Sequence, residues 1–307
     1  MAAFSKIVFP KMMSNPVRRA EILTAYLFLS PTLVGFVIFI VGPVIAAFVL
    51  STYNWNLINP AQPAGLDNYK QLLGDARLAT IYLTTFKIAV STVALKLVVG
   101  MIIAVLLEAK IHNWLRTFFR LSFFFPFVVP ATAVALIWSF LLNKDLGMVN
   151  WFLGLVGIDR IPWLNSSAWS PVAVIITDVW KDLGFYVVVF VGGLQTIPGD
   201  LYEAAEVDGA NRFQRFFSIT LPLLTPTILF LSVIGLIGAV QIFAQPFVLT
   251  QGGPGDATRT VVMYIFEQGF RFFNMGYAST IALSLFIVLF GLTVLQFVFS
   301  RRWVFYQ

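Results

Sequence analysis

Four charged residues lie well away from the ends of stretches that are otherwise apolar enough to cross a membrane. Asp178 and Asp182 are four residues apart, so they share one face of a helix, where two carboxyl groups could act as an acid pair. Lys181 is adjacent to Asp182, and Lys96 lies in an earlier apolar run. Ionisable groups at such depth face the bundle or a cavity rather than lipid, where they pair with one another or line a polar path. The pattern favours a polar path slightly over a structural ion pair, and Lys181, which can neutralise one carboxylate, disfavours a catalytic pair.

Composition excludes most other catalytic arrangements. The chain has no cysteine and a single histidine, His112, which removes thiol nucleophiles, Cys-ligated zinc and most His-based metal sites. It also lacks Gly-Lys-Ser and Gly-Lys-Thr, so it has no P-loop for ATP. We therefore expect no catalytic residue, no metal site and no cofactor in this chain.

The most polar stretch, 200–222, separates two long apolar runs. A segment this charged cannot lie in hydrocarbon, so it must lie at a membrane face. Asp200 is expected to cap a short helix, with Glu203 completing a capping box. Gly209 can close that helix in a left-handed conformation or let another backbone approach, and Asn211 can cap a second helix. The charged residues of the stretch are Asp200, Glu203, Glu206, Asp208, Arg212 and Arg215.

The same stretch resembles a known family. The spacing of Glu203-Ala204-Ala205, Gly209 and Ile219-x-Leu221-Pro222 resembles the EAA motif in the membrane permeases of binding-protein-dependent ABC importers. Leu249–Pro254 and Leu194–Glu203 are similar to the sugar-permease branch of that family, of the maltose and glycerol-phosphate type. The resemblance covers about two thirds of the chain.

The resemblance implies a transport function and a set of partners. It implies a permease subunit that passes a sugar or related solute across the cytoplasmic (inner) membrane of a prokaryote. The implied partners are a second homologous permease, two P-loop ATPase subunits and an extracytoplasmic solute-binding protein. ATP would be hydrolysed on the partner, and the loop would carry that motion to the spans. Glu203 could contact the ATPase or serve only as a helix cap, and both roles remain open. The implied coupling residues are Glu203, Ala204, Ala205, Asp208 and Gly209.

The elements that position these residues are predicted to be membrane helices. The chain is 59% hydrophobic and only 11% charged, with a mean hydropathy of +0.87, whereas a soluble domain is about 25% charged. We predict an all-α polytopic membrane protein of six transmembrane helices, with the cytoplasmic coupling loop between helices 4 and 5. The first helix is expected to be a retained span, because its apolar run is too long for a cleaved signal peptide. The predicted spans are Thr24–Ser51, Leu83–Leu107, Leu121–Leu142, Pro171–Leu194, Leu221–Val248 and Met275–Phe299. Pro126 and Pro130 are expected to kink the third of these spans.

Basic residues predict the orientation. Eleven Lys and Arg lie on the side of the termini and the coupling loop, against six on the other side, so that side is expected to be cytoplasmic. The net charge of +6 is explained by these loops and membrane lipid rather than by nucleic acid. The predicted segments are a cytoplasmic N-terminal segment 1–23, a permease domain 24–300 containing the loop 200–222, and a cytoplasmic tail 301–307.

The solute path is predicted from amide and indole groups at mid-to-outer depth in the spans. Gln241 and Gln245 are four residues apart and would share a helix face, with Trp180 and Asp182 at comparable depth. Amides can hydrogen-bond hydroxyl groups, and indoles offer a flat stacking face. The glutamines could instead join helices by interhelical hydrogen bonds. The turn Gln251–Pro254 could contact a binding protein or be a simple tight turn.

Three other functions remain open from the residues alone. A proton-coupled secondary carrier would use Lys96, Asp178 and Asp182 as its proton path. An intramembrane enzyme would use the two carboxyl groups, and a structural anchor would use none of them. The EAA spacing argues against all three.

Overall fold

The computed structural model describes residues 16–108 and 112–305, so parts of the predicted terminal segments lie outside the described residues. The first helix, α1, spans Pro16–Phe36 and continues through a π-helical turn at Val37–Val41 into α2, Gly42–Leu50. Its apolar stretch Ala20–Leu50 has no buried residue in its most hydrophobic part. This helix therefore presents its apolar side chains outward, as a lipid-facing span would.

The remaining elements complete a helical bundle with one small hairpin. The strands β1 (Tyr53–Asn54) and β2 (Gln62–Pro63) pair antiparallel. The helices are α3 (Asp67–Gly74), α4 (Ala76–Glu108), α5 (Asn113–Val128), α6 (Ala131–Leu141), α7 (Met148–Leu155), α8 (Ser170–Gln195), α9 (Gly199–Val207), α10 (Arg212–Arg215), α11 (Leu221–Leu223), α12 (Thr225–Val240), α13 (Ala244–Leu249), α14 (Val261–Phe266) and α15 (Met275–Ser300). Further π-helical turns follow α10 at Phe216–Thr220 and α14 at Glu267–Arg271.

Four helical stretches in the described chain are long and apolar enough to cross a membrane, or five if the bent pair α5–α6 is counted as one. The predicted fourth span corresponds to α8, a 26-residue helix. Three charged residues, Asp178, Lys181 and Asp182, lie near its middle, so its composition is less apolar than that of the other spans. The helical membrane fold is confirmed, whereas the count of six crossings stays a prediction.

The predicted third span, Leu121–Leu142, is not the single kinked helix that we expected. The chain bends by 101° between Trp114–Val128 and Ala131–Leu141. Pro130 has no N–H group, and the residue before a proline is pushed out of the helical region. Val129 accordingly has φ −72° and ψ 136°, which ends α5 before α6 begins.

The predicted fifth span, Leu221–Val248, is also interrupted. Between α12 and α13, the helix is broken at Gln241–Phe243. Pro246 cannot donate to the carbonyl group of Ile242, and that carbonyl instead accepts a hydrogen bond of 2.8 Å from the Thr260 hydroxyl. The break turns Gln241 and Gln245 in different directions.

Helix α4 lies at the centre of the bundle and packs against both α8 and α12. On one side, Ala104 and Leu107 belong to a buried cluster with Phe190 of α8. On the other, Ile81 belongs to a cluster that includes Tyr277 of α15. The core therefore fixes α4 between α8, which leads to the polar loop (residues 200–222), and the last span, α15.

We predict that Gly184 is required for the close approach of α8 to α5. A Cβ atom at Gly184 would lie 2.0 Å from the Phe123 carbonyl oxygen, whereas Gly192 on the same helix has open space around it. Gly184→Ala should reduce the free energy of unfolding by about 1–3 kcal/mol through overpacking, seen as a lower apparent melting temperature in detergent. Gly192→Ala is the matched control and should melt no earlier than wild type, since alanine favours a helix over glycine. Equal melting of the two variants would contradict the prediction.

Candidate functional site

The first half of the polar loop is the helix α9, Gly199–Val207, which begins after Pro198 rather than at Asp200. The expected cap by Asp200 is wrong, and so is the capping box with Glu203, because the N-cap position is Pro198 and has no side-chain hydrogen bond. Pro198 adopts an extended conformation and Asp200 lies within the first turn, where its negative charge suits the positive end of the helix. Glu203 is thus left without the capping role.

Gly209 closes α9 as predicted, with φ +78°. The Gly209 N–H group donates to the Glu206 carbonyl at 3.1 Å, and the Ala210 N–H group donates to the Ala205 carbonyl at 2.9 Å. These two hydrogen bonds form a Schellman motif, which requires a residue in the left-handed conformation. The end of α9 therefore has a fixed shape.

The second half of the loop begins at Asn211, which caps α10 as predicted. The Asn211 side chain accepts a hydrogen bond of 3.0 Å from the Gln214 N–H group, and the Gln214 side chain accepts one of 2.7 Å from the Asn211 N–H group. The two halves are joined by a salt bridge of 2.9 Å between Arg215 and Glu206. The loop is therefore a defined helix–turn–helix rather than a plain connection.

A hydrogen bond also holds α9 against the start of the next span. The hydroxyl groups of Tyr202 and Thr220 are 2.9 Å apart, and Thr220 is buried. The opposite side of α9 is exposed, including Glu203, Ala204, Asp208 and Gly209, and only Ala205 of the predicted coupling residues is half-buried. The exposed fraction of Val207 is 89%, so this surface combines apolar and acidic groups outside the bundle.

The second part of the site is an ion cluster between α4 and α8. The Lys96 ammonium group donates to Asp178 and to Asp182 at 2.7 Å each, and the exposed fraction of the Lys96 side chain is 4%. Asp182 also accepts from Lys181 at 2.9 Å. Lys96 faces the bundle as predicted, and both carboxylates lie on the same face of α8. Two ammonium groups therefore balance two carboxylates, which does not match a pair of acids sharing a proton.

Gln245 extends this cluster to α13. Its amide nitrogen donates to Asp178 at 2.9 Å, and its exposed fraction is 4%. Gln245 thus makes the interhelical hydrogen bond that was the alternative to solute contact. Gln241, in contrast, is exposed at the end of α12, so the expectation that the two glutamines share one helix face is wrong.

A cavity of about 230 Å³ lies against the ion cluster. Of the residues predicted to form the solute path, only Asp182 lines it. Trp180 is half-exposed elsewhere, packed edge-to-face on Trp138 with ring centroids 5.8 Å apart. The aromatic walls were not predicted from the sequence, because they come from two separate helices, α5 and α8, and no local pattern links the two. The cavity lining includes Lys96, Asp178, Asp182, Phe127, Phe185 and Tyr186.

A further charge cluster holds the loop that follows α13. Asp256 accepts hydrogen bonds from Arg77 at 2.7 and 3.0 Å, and it also pairs with Arg259. The Arg77 guanidinium group, followed by Arg259, lowers the pKa of Asp256 to about 2. Gln251 and Gly252 have positive φ values, so this stretch forms a tight turn, while its contact with a binding protein stays a prediction.

The fold and the site together define a polytopic helical membrane protein with a preformed polar helix–turn–helix at one face. Residues 96–304 match the family described as "Binding-protein-dependent transport system inner membrane component". The chain belongs to this family and is a permease subunit of an ABC importer. The family predicted from the EAA spacing is therefore confirmed.

Relatives match over nearly the whole chain. The chain is 36% identical to the sulfoquinovosyl glycerol transport system permease SmoG of Agrobacterium fabrum, over 86% of each chain. It is 31% identical to the trehalose/maltose transport system permease MalF of Thermococcus litoralis, over 94% of this chain and 97% of the relative. A crystal structure of a bacterial alginate ABC transporter, in complex with a periplasmic protein bound to alginate pentasaccharide, shares the fold. Its TM-score is 0.81 at 24% identity, covering 93% of this chain and 96% of that one.

We predict that the ion cluster stabilises the bundle only while each buried carboxylate keeps a cationic partner. Lys96→Met should reduce the free energy of unfolding by about 3–5 kcal/mol, because it leaves two buried carboxylates without their shared cation. The double variant Lys96→Met/Asp178→Asn should regain part of the loss, because Asp182 keeps Lys181. The measurement is the apparent melting temperature in detergent. A single variant as stable as wild type would contradict the assignment.

We predict that the ion pairs of Asp256 weaken in acid. The pKa of Asp256 in the folded protein, about 2, is below the usual value of about 3.9. The ion pairs therefore contribute stability above about pH 4, and this contribution is lost as the pH falls toward about 2. The gap in apparent melting temperature between wild type and Asp256→Asn should be largest near neutral pH and narrow below about pH 4. A gap that stays constant over this range would show that Asp256 acts through packing alone.

Proposed function

We propose that this chain is a permease subunit for import of a sugar or glycoside, driven by a separate ATPase subunit that docks on α9. The observation that carries the proposal is the exposed, rigidly closed helix α9 in a chain of the ABC importer permease family. Relatives named for sulfoquinovosyl glycerol and for trehalose and maltose transport support a saccharide-type solute.

The coupling residues follow from the surface of α9. Ala204 adds no bulk on the exposed side, so a partner can approach the helix backbone closely. Glu203 and Asp208 are exposed acidic groups that can pair with basic residues of the partner. Gly209 sets the direction in which the chain leaves the helix. We assign Ala205, which is half-buried, to the contact between α9 and the bundle.

Motion of α9 would reach the spans through α8. Only residues 196–198 separate Gln195, at the end of α8, from the start of α9. Arg215 and Tyr202 tie α9 to the segment that leads into α12. A push on α9 would therefore move α8 and α12 together, and both helices border the cavity beside Lys96.

We assign the solute path to the cavity beside the ion cluster. Asp182 and Lys96 can exchange hydrogen bonds with hydroxyl groups, and the rings of Phe127 and Phe185, which stack with centroids 5.2 Å apart, provide a flat apolar wall. Trp180 and Gln241 would contact solute only outside this cavity. A proton-coupled carrier is not favoured, because Lys96 is already paired with both carboxylates.

The proposed assembly has a second homologous permease, two P-loop ATPase subunits and an extracytoplasmic solute-binding protein. The excess of basic residues on the side of α9 supports a cytoplasmic position for the loop and both termini in the inner membrane. The loop that contains Asp256 would then face the binding protein. Arg77 holds this loop at the start of α4, which is the end of that helix away from the polar loop.

We predict that Gly209→Val abolishes ATP-driven uptake while leaving the protein inserted in the membrane. The left-handed backbone at Gly209 strains a branched side chain, which would distort the end of α9. Gly157→Val is the matched control, because Gly157 has the same φ of +78° and the same open surroundings, outside the coupling loop. Glu203→Lys, which reverses an exposed charge without backbone strain, should also reduce uptake.

The measurement is uptake of radiolabelled trehalose, maltose and glycosyl glycerols into proteoliposomes that contain the chain and its co-purified subunits. Normal uptake in both Gly209→Val and Glu203→Lys would remove the coupling role of α9. Equal loss in Gly157→Val and Gly209→Val would show that backbone strain alone, rather than the position in α9, stops transport. Uptake of none of these saccharides, with intact ATPase activity of the complex, would contradict the solute class alone.

A further inference from the structure

A groove follows the last two turns of α4 on the side of the polar loop. It has an apolar part of about 570 Å³ and an outer part of about 550 Å³. The two parts share Arg212 and Phe216 as lining residues, and the outer part reaches Glu108 and Arg215. The walls of the apolar part include Met101, Ile102, Phe213 and Phe217.

The position of the groove along α4 relates it to the depth of the membrane. Helix α4 is apolar and long enough to cross a bilayer, and it carries no charged residue between Lys96 and Glu108. Ile102 and Leu106 point outward, with exposed fractions of 53% and 62%. The apolar part therefore lies at the level of acyl chains, and Glu108 marks the level of the headgroups.

The charges around the outer part leave one cation unbalanced. Arg215 pairs with Glu206 at 2.9 Å, and Glu108 pairs with Arg120 at 2.7 Å. Arg212 is exposed and makes no salt bridge within residues 16–108 and 112–305. Its guanidinium group is thus free to bind an anion at the mouth of an apolar groove.

We propose that this groove binds an anionic phospholipid, with one acyl chain along α4 and the phosphate on Arg212. An acyl chain fits the wall that Met101, Ile102 and Phe217 form at hydrocarbon depth. The guanidinium group of Arg212, which also lines the groove, can bind phosphate oxygens through two parallel hydrogen bonds. The lipid would contact α4 and α10 together. It would therefore brace the second half of the polar loop against the span that carries Lys96, independently of any ATPase contact.

The test is native mass spectrometry of the full chain with its co-purified subunits, delipidated and then titrated with phosphatidylglycerol or with phosphatidylcholine. Wild type should bind one phosphatidylglycerol molecule more tightly than phosphatidylcholine. Arg212→Gln should reduce this preference roughly fivefold, as expected for one basic side chain near a membrane surface. The matched control is Arg302→Gln, because Arg302 is also exposed at the end of a span on the same side but lies outside the groove.

A second variant tests the acyl-chain part separately. Leu106→Trp fills the groove without changing its charge, so it should weaken binding of both lipids and remain informative if Arg212→Gln fails to assemble. Equal affinity of wild type for the two lipids would overturn the proposal, as would equal loss in Arg212→Gln and Arg302→Gln. Binding of phosphatidylglycerol only after the ATPase subunits are removed would also overturn it, because a protein partner would then occupy the groove.

Discussion

The packing of the spans depends on the ion pairs that the buried ammonium group of Lys96 forms. An ammonium group away from water is costly unless carboxylates surround it, and Lys96 has two of them, Asp178 and Asp182, at 2.7 Å each. Helices α4 and α8 cannot slide past one another by a turn without leaving one of these charges unpaired. Gln245 adds α13 to the same set of contacts. The middle of the bundle is thus held in one register by charge, while two buried apolar clusters pack the same helix α4 against its neighbours.

Because these ion pairs hold the middle of the bundle in one register, a displacement of the polar loop would be transmitted to the spans rather than lost in local rearrangement. Helix α8 runs without a break from Asp182 to Gln195, a distance of about 20 Å at 1.5 Å per residue. Residues 196–198 then connect it to α9, whose far end is closed by Gly209. A displacement of α9 would reach the cavity beside Asp182 along one continuous helix. The groove that we assign to a phospholipid lies at the same joint, where membrane composition would alter how firmly the loop is held.

Local rules were enough to predict much of the site from the sequence, but not how separate segments meet. A charged residue in an apolar run must face the bundle, and this rule predicted the orientation of Lys96 correctly. The helix cap at Asn211 was predictable because it involves residues only three positions apart. The 101° bend at Pro130 was expected only as a kink, because a proline removes a hydrogen bond but packing sets the angle. The break before Pro246 depends on a hydrogen bond from the Thr260 hydroxyl to the Ile242 carbonyl group. No local pattern predicts this bond, because the two residues are 18 positions apart.

The most direct test of the central claim is cross-linking at α9. The chain contains no cysteine, so Ala204→Cys provides a unique attachment point for a photoactivatable maleimide in native membranes. We predict a cross-link to a P-loop ATPase subunit that ATP binding alters, and none from the control Ser167→Cys, which is exposed in the loop before α8. A labelled, correctly inserted Ala204→Cys chain that cross-links only to lipid or to itself would contradict the account.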